Sequence, residues 1–214
     1  MLLKDSITQN TYNKVAQKYW EKVRTTFQYN ASYDIFLQEL PLNASVLELG
    51  CGPGNMTGYF LNKRKDLKIT ATDLSPNMLK LASKNNPNAE YLEMDCRKIS
   101  ALNNTFNAIS AAFIMPYLNL EASAKLILDC TSLLNSEGLL YISTMEGDYS
   151  QSGYEKTTFS SEDQVFIHYH QKDTITQNLK KNGLKLLQFI KQTSEEPNGH
   201  IYTDMIFIAK KTRI

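Results

Sequence analysis

The chain has 214 residues, 42% hydrophobic and 21% charged, so it is long enough to bury its own core and fits a single α/β domain. No apolar stretch approaches the roughly 20 residues of a membrane-spanning helix, and the N-terminal segment lacks a secretory-signal pattern. The formal net charge is +1 without a long basic run, which disfavours binding to long nucleic acids. Three cysteines without metal-like spacing favour free thiols. We therefore expect a soluble, cytoplasmic protein without a bound metal.

The first 42 residues are predicted to form a helical cap. Aromatic and aliphatic residues recur at helical spacing over residues 11–27, and the pattern repeats over residues 33–40. Residues 43–214 would then form the main globular unit beneath this cap.

From residue 45 onward, short apolar runs alternate with helical patterns. Strands are predicted at 45–49, 68–72, 90–94, 106–112 and 138–145, and helices at 55–61, 76–84 and 120–134. This alternation predicts β-α-β units around a parallel sheet.

The C-terminal third departs from that alternation. A polar stretch over 146–163 precedes a strand-like run at 164–169 and a helix at 172–182. Two strand patterns at 184–191 and 201–210 flank the turn-rich residues 195–200, which predicts an antiparallel hairpin at the sheet edge.

The segment Val46-Leu-Glu-Leu-Gly-Cys-Gly-Pro-Gly54 joins the first strand to the next helix. Glycines here let a ligand approach the backbone and the helix N-terminus. A dinucleotide fingerprint, G-x-G-x-x-G, would need a further glycine at Asn55 or Thr57, so this class is disfavoured.

The alternating pattern Glu48-x-Gly50-x-Gly52-x-Gly54 resembles the first motif of the class I methyltransferases that use S-adenosyl-L-methionine (SAM). The resemblance covers nearly the whole chain. It implies a Rossmann-like, doubly wound α/β fold with a seven-stranded, mostly parallel sheet, a C-terminal antiparallel hairpin and an N-terminal helical cap.

The resemblance also implies roles for residues at the strand ends. Asp73 would accept the ribose hydroxyls, Asp95 and Cys96 would contact adenine, and Leu74 and Met78 would form the walls of the adenine site. The end of the fourth strand, at Ala112, would face the methyl-bearing part of SAM.

Two positions depart from the family pattern. Asn107 replaces a common aspartate, and Met115-Pro-Tyr117 replaces a turn that often carries histidine. These departures are the only support for a SAM-binding regulatory protein that does not transfer methyl groups.

Each of these residues also has a structural interpretation. The glycines could form only a tight turn, Asp73 could be a charge at a helix N-terminus, Asp95 could be a loop acid, and Cys96 could be an inert small residue. Tyr12 and Tyr19 are spaced so that they lie on one face of the helix, which suits either a cover over the cofactor or ordinary core packing.

Acceptor residues are less clearly marked in the sequence. His168 and His170 alternate on one face of a strand and are candidate general bases, although each could instead be a structural histidine. Tyr154 and Tyr169 are further catalytic candidates, and Tyr117, Glu146, Tyr154 and Tyr169 are predicted to bind the acceptor because they follow strand ends.

The sequence thus predicts a SAM-dependent methyltransferase acting on a small molecule. The alternatives are an RNA or protein acceptor, contacted through Lys63-Arg-Lys65 and the 146–163 loop, and a non-catalytic SAM-binding protein.

Overall fold

A computed structural model describes residues 3–157, 163–195, 199 and 201–212, with side chains from residue 6 onward. Its six α-helices are α1 (Leu3–Val23), α2 (Asn30–Gln38), α3 (Asn55–Lys63), α4 (Pro76–Asn85), α5 (Leu120–Leu133) and α6 (Lys172–Lys181). Its strands are β1 (Ser45–Leu49), β2 (Lys68–Asp73), β3 (Glu90–Glu93), β4 (Phe106–Ala112), β5 (Leu134–Met145), β6 (Gly153–Lys156), β7 (Gln164–Ile167), β8 (Leu184–Glu195) and β9 (Ile201–Lys211). Short 3₁₀ helices lie at Cys96–Ala101, Met115–Tyr117 and Tyr149–Gln151.

Seven strands form one sheet in the order β3-β2-β1-β4-β5-β9-β8. The first five strands of this sheet are parallel, and β9 runs antiparallel to both β5 and β8. The predicted fold class, including the C-terminal hairpin, is therefore confirmed.

The sheet is buried on both faces, because helices pack on each side of it, and consecutive residues of β1 and β4 are buried accordingly. One face packs against helices α2, α3 and α4 around Phe36, Phe60 and Tyr141, all of which are fully buried. The other face packs against α5 and α6 around Ile109, Ile127 and Phe207. A chain of this length thus encloses two apolar layers.

The cap differs from its predicted bounds. Helix α1 ends at Val23, where the side chain of Asn55 donates a 2.7 Å hydrogen bond to the Val23 carbonyl. Phe27, expected inside the helix, lies beyond it and is exposed. The division of the chain at residue 42 stays a prediction.

A second, two-stranded sheet was not predicted. Strands β6 and β7 pair antiparallel, with Tyr154 opposite Phe166. The polar stretch before β7 therefore includes a short strand, while residues 158–162 and most of the predicted turn at 195–200 lie outside the described residues.

The carboxyl ends of the parallel strands meet at one edge of the sheet, where ligands bind in open α/β folds. Helix α1 packs against α4 and β7 above this edge. Within the described residues, no helix combines the length and apolar character needed to span a membrane.

Candidate active site

The loop after β1 turns at its glycines. Gly50 and Gly52 have φ angles of 61° and 53°, in the left-handed region that glycine adopts readily. A Cβ on Gly50 would lie 2.8 Å from Cγ1 of Ile114, which leaves no room for a side chain. A Cβ on Gly52 would point into the space below Tyr19, whose ring begins 3.9 Å away. The loop therefore presents bare backbone towards α1.

Asp73 ends β2 beside this loop. Its carboxylate accepts hydrogen bonds from the backbone amides of Gly52 at 2.9 Å and Ser75 at 2.8 Å. Burial raises the pKa of Asp73 above its usual value, and the amide hydrogen bonds oppose that rise. Because a carboxylate has about four acceptor sites, Asp73 retains capacity for ligand hydroxyls.

Asp95 follows β3 and is held by its neighbour. The amide of Arg97 donates to Asp95 at 2.9 Å, and the guanidinium forms an ion pair with the same carboxylate at 2.7 Å. Burial alone would raise the pKa of Asp95, but these hydrogen bonds lower it below its usual value. Burial raises the pKa of the Cys96 thiol to about 12, so this thiol is not an activated nucleophile.

The end of β4 contains a strained residue. Phe113 has a φ of 52°, which is uncommon for a side chain of this size. Its amide donates to both the carbonyl and the hydroxyl of Ser143, each at 3.1 Å, and these bonds hold the turn. Such outliers cluster at functional sites.

The two departures from the family pattern have structural explanations. Asn107 lies near the start of β4, away from the carboxyl edge, where its side-chain oxygen accepts from the amide and the hydroxyl of Ser45. The 3₁₀ helix Met115–Tyr117 carries Tyr117 to the ligand edge. Neither departure therefore argues against methyl transfer.

Helix α1 is attached over the site by polar contacts. Gln9 donates to the Leu74 carbonyl at 3.0 Å, and the side-chain oxygen of Asn13 accepts from Ser75 and from the Asn77 amide. The hydroxyls of Tyr12 and Tyr117 are hydrogen-bonded to each other.

The predicted tyrosines lie on the underside of this helix. The ring of Tyr12 makes edge contacts with Tyr19 and Tyr117, with centroids 5.5 Å apart in each case. Burial raises the pKa of Tyr19 to about 12, so its phenol stays protonated at neutral pH.

These features border a cavity of about 200 Å³, to which we refer as the first cavity. Most of the predicted cofactor residues line it together: Tyr12, Tyr19, Gly50, Gly52, Asp73, Leu74, Met78, Asp95, Cys96 and Ala112. Tyr117 and His168, from the acceptor and catalytic predictions, also line it. The structure thus assembles residues from α1 and the first four strands into one space.

Sequence reasoning missed several other residues of this lining: Thr8, Gln9, Ser75, Met94, Arg97, Phe113, Ile114, Leu118 and Phe166. Ser75 had a detectable signal, because Ser before Pro is a helix N-cap pattern, and its hydroxyl accepts from the Met78 amide. The others carry no motif.

The two histidines occupy different environments. His168 faces the first cavity, stacks on Tyr149 with centroids 5.7 Å apart, and donates its backbone amide to the Pro116 carbonyl at 2.7 Å. His170 is buried outside the lining, with Nε2 2.8 Å from the Met115 carbonyl. Burial lowers the pKa of His170, which favours a neutral ring that donates to this carbonyl.

Three predicted acceptor residues do not line the first cavity. Glu146 pairs with Lys191, the Tyr169 hydroxyl donates to Glu155 at 2.8 Å, and Tyr154 is 49% exposed beside Phe166. Among the described residues, no group of acidic, histidine and cysteine side chains is arranged to hold a metal.

A second cavity, of about 460 Å³, adjoins the first. The two share a wall, to which we refer as the shared wall, formed by Tyr19, Gly50, Gly52, Ala112 and Phe113. Glu48 and Gly54, both predicted to bind the cofactor, line this second cavity instead. A Cβ on Gly54 would lie 2.5 Å from Nδ2 of Asn86, so this glycine also allows α3 and α4 to pack closely.

Comparison with known proteins agrees with this geometry. Residues 46–138 match the family model of the methyltransferase domain. The chain is 29% identical over 119 residues to putative methyltransferase 235L of Invertebrate iridescent virus 6, covering 54% of this chain and 43% of that protein. It is 28% identical over 174 residues to carboxy-S-adenosyl-L-methionine synthase of Campylobacter jejuni, covering 71% and 73%.

A solved structure shows the same fold. The 1,6-didemethyltoxoflavin-N1-methyltransferase of Burkholderia thailandensis, with its acceptor and S-adenosylhomocysteine bound, superposes with a TM-score of 0.70 at 17% identity, covering 97% of this chain and 88% of that one.

The sheet order, the glycine loop with its acidic strand ends, and the domain match together define a SAM-binding α/β protein. Residues 46–138 form a methyltransferase domain, and the fold is that of the SAM-dependent methyltransferases. The predicted family, enzyme class and cofactor are confirmed.

Proposed function

We propose that the protein transfers the methyl group of SAM to a small-molecule acceptor. The observation that carries this proposal is the covered site, since α1 packs against α4 and β7 above the strand ends and leaves a cavity of about 200 Å³, the size for a small ligand rather than a macromolecule. The bound acceptor in the Burkholderia structure, named there as 1,6-didemethyltoxoflavin, supports the same class of substrate.

The residues of the first cavity fit SAM. Asp73 can accept ribose hydroxyls, and bare backbone at Gly52 allows close approach. Leu74 and Met78 offer apolar surface for adenine, with Asp95 at its edge. We propose Tyr12 and Tyr19 as the aromatic cover, because aromatic faces attract a sulfonium by about 1 kcal/mol.

SAM would supply an electrophilic methyl group on a positively charged sulfur. The contribution of the chain is to hold the acceptor in line with that methyl group and to exclude water, which together can lower the barrier by several kcal/mol. We propose Tyr117 and His168 as acceptor contacts, because both face the first cavity and are fixed by hydrogen bonds from neighbouring elements.

A nucleic-acid acceptor receives less support. Arg97 is the only cationic side chain that lines the first cavity within the described residues, and it is paired with Asp95. We therefore propose that binding to RNA is absent, and RNA affinity that falls steeply with salt would contradict this.

We also propose a reducing, cytoplasmic compartment. Cys51, Cys96 and Cys130 are free thiols, and two of the three are buried. This is the usual state of cysteines in such compartments.

Substitution of Asp73 tests the site. We expect wild-type protein to bind S-adenosylhomocysteine by calorimetry, and Asp73→Ala to weaken this binding by at least about 100-fold, since charge-assisted hydrogen bonds contribute about 1.5–3 kcal/mol each. Glu93→Gln, an exposed carboxyl change on β3, serves as the control. Equal affinity of the wild-type and Asp73→Ala proteins would contradict the assignment.

Methyl transfer is measured separately. SAM labelled in its methyl group is incubated with panels of phenols, anilines, alkylamines and thiols, and with RNA and protein extracts. We expect label in small molecules and accumulation of S-adenosylhomocysteine. Label confined to macromolecules, or a heavier SAM derivative as product, would overturn the proposal.

A further inference from the structure

A buried carboxyl group lies at the ligand edge of the sheet without belonging to the residues discussed so far. Asp204 is near the start of β9, which runs antiparallel and so begins where β5 ends, opposite Met145. The residue is 2% exposed. Its carboxylate accepts a 2.7 Å hydrogen bond from the hydroxyl of Tyr29.

Tyr29 connects this carboxyl to the site. It precedes α2 and lines the second cavity. Its ring lies 5.0 Å from that of Phe113, centroid to centroid, and Phe113 belongs to the shared wall. The phenol of Tyr29 is thus next to the strained residue at the end of β4.

A purely structural tie between cap and sheet does not require a buried ionisable group. The cap is also held by an exposed pair, Tyr59 and Asp34, whose 2.8 Å hydrogen bond joins α3 to α2 with the aspartate side chain 41% exposed. Asp204 instead loses its hydration, and burial raises its pKa to about 6. Tyr33, Tyr141 and Tyr202 are the titratable groups coupled to this pair.

We propose that Tyr29 and Asp204 form a proton relay that takes the proton from the methyl acceptor. This inference rests on the proposed methyl transfer. The acceptor would extend past the shared wall, from Tyr117 and His168 in the first cavity to Tyr29 in the second. Tyr29 then contacts the acceptor, and Asp204 acts through Tyr29.

The relay moves one proton for each methyl group transferred. A lone pair of the acceptor O–H or N–H group forms the bond to the methyl carbon, and the electrons of the carbon–sulfur bond remain on sulfur. The Tyr29 oxygen accepts a 2.6 Å hydrogen bond from the Gln28 side-chain amide, and its remaining lone pair takes the acceptor proton while the phenol proton passes to the Asp204 carboxylate. Burial raises the pKa of Tyr29 well above its usual range, so the phenol transmits a proton without resting as a phenolate.

The relay also indicates the substrate class. A neutral hydroxyl or N–H group must lose a proton on methylation and gains from a base, whereas a carboxylate or thiolate is already ionised. We therefore infer an acceptor whose nucleophile is a neutral O–H or N–H group.

Methyl transfer to the most active phenol or amine of the panel tests the relay. Wild-type kcat/KM should rise with pH along a limb with an apparent pKa near 6. Asp204→Asn and Tyr29→Phe should each lower kcat by roughly 100-fold or more, and Asp204→Asn should remove the limb. Asp34→Asn, the matched change in the exposed pair, should leave kcat and the pH dependence of kcat/KM unchanged.

Two measurements require no acceptor. Affinity for S-adenosylhomocysteine should stay within about twofold in both variants, because neither residue lines the first cavity. In protein labelled with ¹³C at aspartate carboxyls, a resonance titrating near pH 6 should be absent from Asp204→Asn. In Tyr29→Phe the Asp204 resonance should titrate at higher pH, since the Tyr29 hydrogen bond lowers the pKa of Asp204.

The outcomes separate this inference from the proposed function. Wild-type protein without methyl transfer refutes the proposed function, and with it the relay. Active wild-type protein whose limb persists in Asp204→Asn but disappears in His168→Gln would assign the base to His168 and overturn the relay. A tenfold loss of S-adenosylhomocysteine affinity in Tyr29→Phe, or an Asp204 carboxyl that does not titrate between pH 4 and 8, would overturn it as well.

Discussion

Glu48 lies beneath the glycine loop with its carboxyl group nearly fully buried. The Thr57 hydroxyl donates a 2.6 Å hydrogen bond to this carboxyl group. Burial raises the pKa of Glu48 to about 7, and the Thr57 hydrogen bonds oppose this rise. The folded state therefore favours the protonated form, whereas the unfolded chain ionises near the ordinary value of about 4.3.

The sign of the pH dependence follows from that difference. The stabilisation due to the raised pKa is fully present below about pH 4 and is lost as pH rises through about 7. The free energy of unfolding of Glu48→Gln minus that of wild type should increase by roughly 2–3 kcal/mol when the pH is raised from 5 to 8. Urea unfolding at pH 5 and at pH 8 measures this difference, with Glu93→Gln as the control. A constant difference between the variants across this range would contradict it.

Residues with a fixed relation to the strand pattern could be predicted from the sequence. Asp73 ends the second strand, so its place at the ligand edge followed from the topology. Phe113 and Asp204 could not be predicted, because one depends on a backbone angle and the other on a strand that pairs across the sheet. Their sequence neighbourhoods resemble those of ordinary core residues.

At the level of elements, α1 joins two parts of the chain that are distant in sequence. Asn13 contacts Ser75 and Asn77 at the start of α4, while Thr11 donates to the Gln164 carbonyl on β7. The helix thus closes the first cavity on two sides.

Removal of one attachment should loosen this cover. In Asn13→Ala the Ser75 hydroxyl and the Asn77 amide lose their acceptor, a loss of about 1–3 kcal/mol of local contact. We expect S-adenosylhomocysteine to bind about 3–10-fold more weakly with a small change in Tm, measured by calorimetry and thermal unfolding. Asn10→Ala, an exposed position on the same helix, should match wild type. Equal losses in both variants would show that the weaker binding does not come from the Asn13 contacts.

The regular elements were predictable to within a few residues because their period was long and clear, as in α5 and β4. Strand β6 was not, because four residues carry too short an alternation to separate from a polar loop. Its pairing with β7 depends on tertiary contact.

For the whole molecule, the site joins the sheet to its cap. Residues from α1, from the ends of β1 to β4 and from β7 line the first cavity, while β8 lies at the far edge of the sheet. Ligand binding should therefore stabilise one side of the molecule selectively.

Hydrogen–deuterium exchange tests this distribution. At S-adenosylhomocysteine concentrations about 100 times Kd, local opening that releases the ligand costs about 2.7 kcal/mol more, so exchange slows by about 100-fold. We expect slowing in residues 9–20, 50–55 and 73–78, and none in 184–195. Uniform slowing throughout the chain would indicate global stabilisation instead, and Asp73→Ala should abolish the effect.

The sheet as a whole was predictable, since alternating β and α patterns restrict its connections to a few arrangements. The shape of the acceptor space was not, because Tyr29, Phe113, Tyr117 and His168 come from four separate segments. Their meeting depends on three-dimensional packing of the cap and of the second sheet.

The 3₁₀ helix Met115–Tyr117 has an evolutionary consequence. The segment after β5 contacts it through the His168 amide and the His170 ring, both bonded to main-chain carbonyls. The hydrogen bond from the His168 backbone amide does not depend on side-chain identity, so much of this segment can be substituted while the turn keeps its shape. Substitutions after β5 could thus change which acceptor is methylated during evolution, while the residues that bind the methyl donor stay the same.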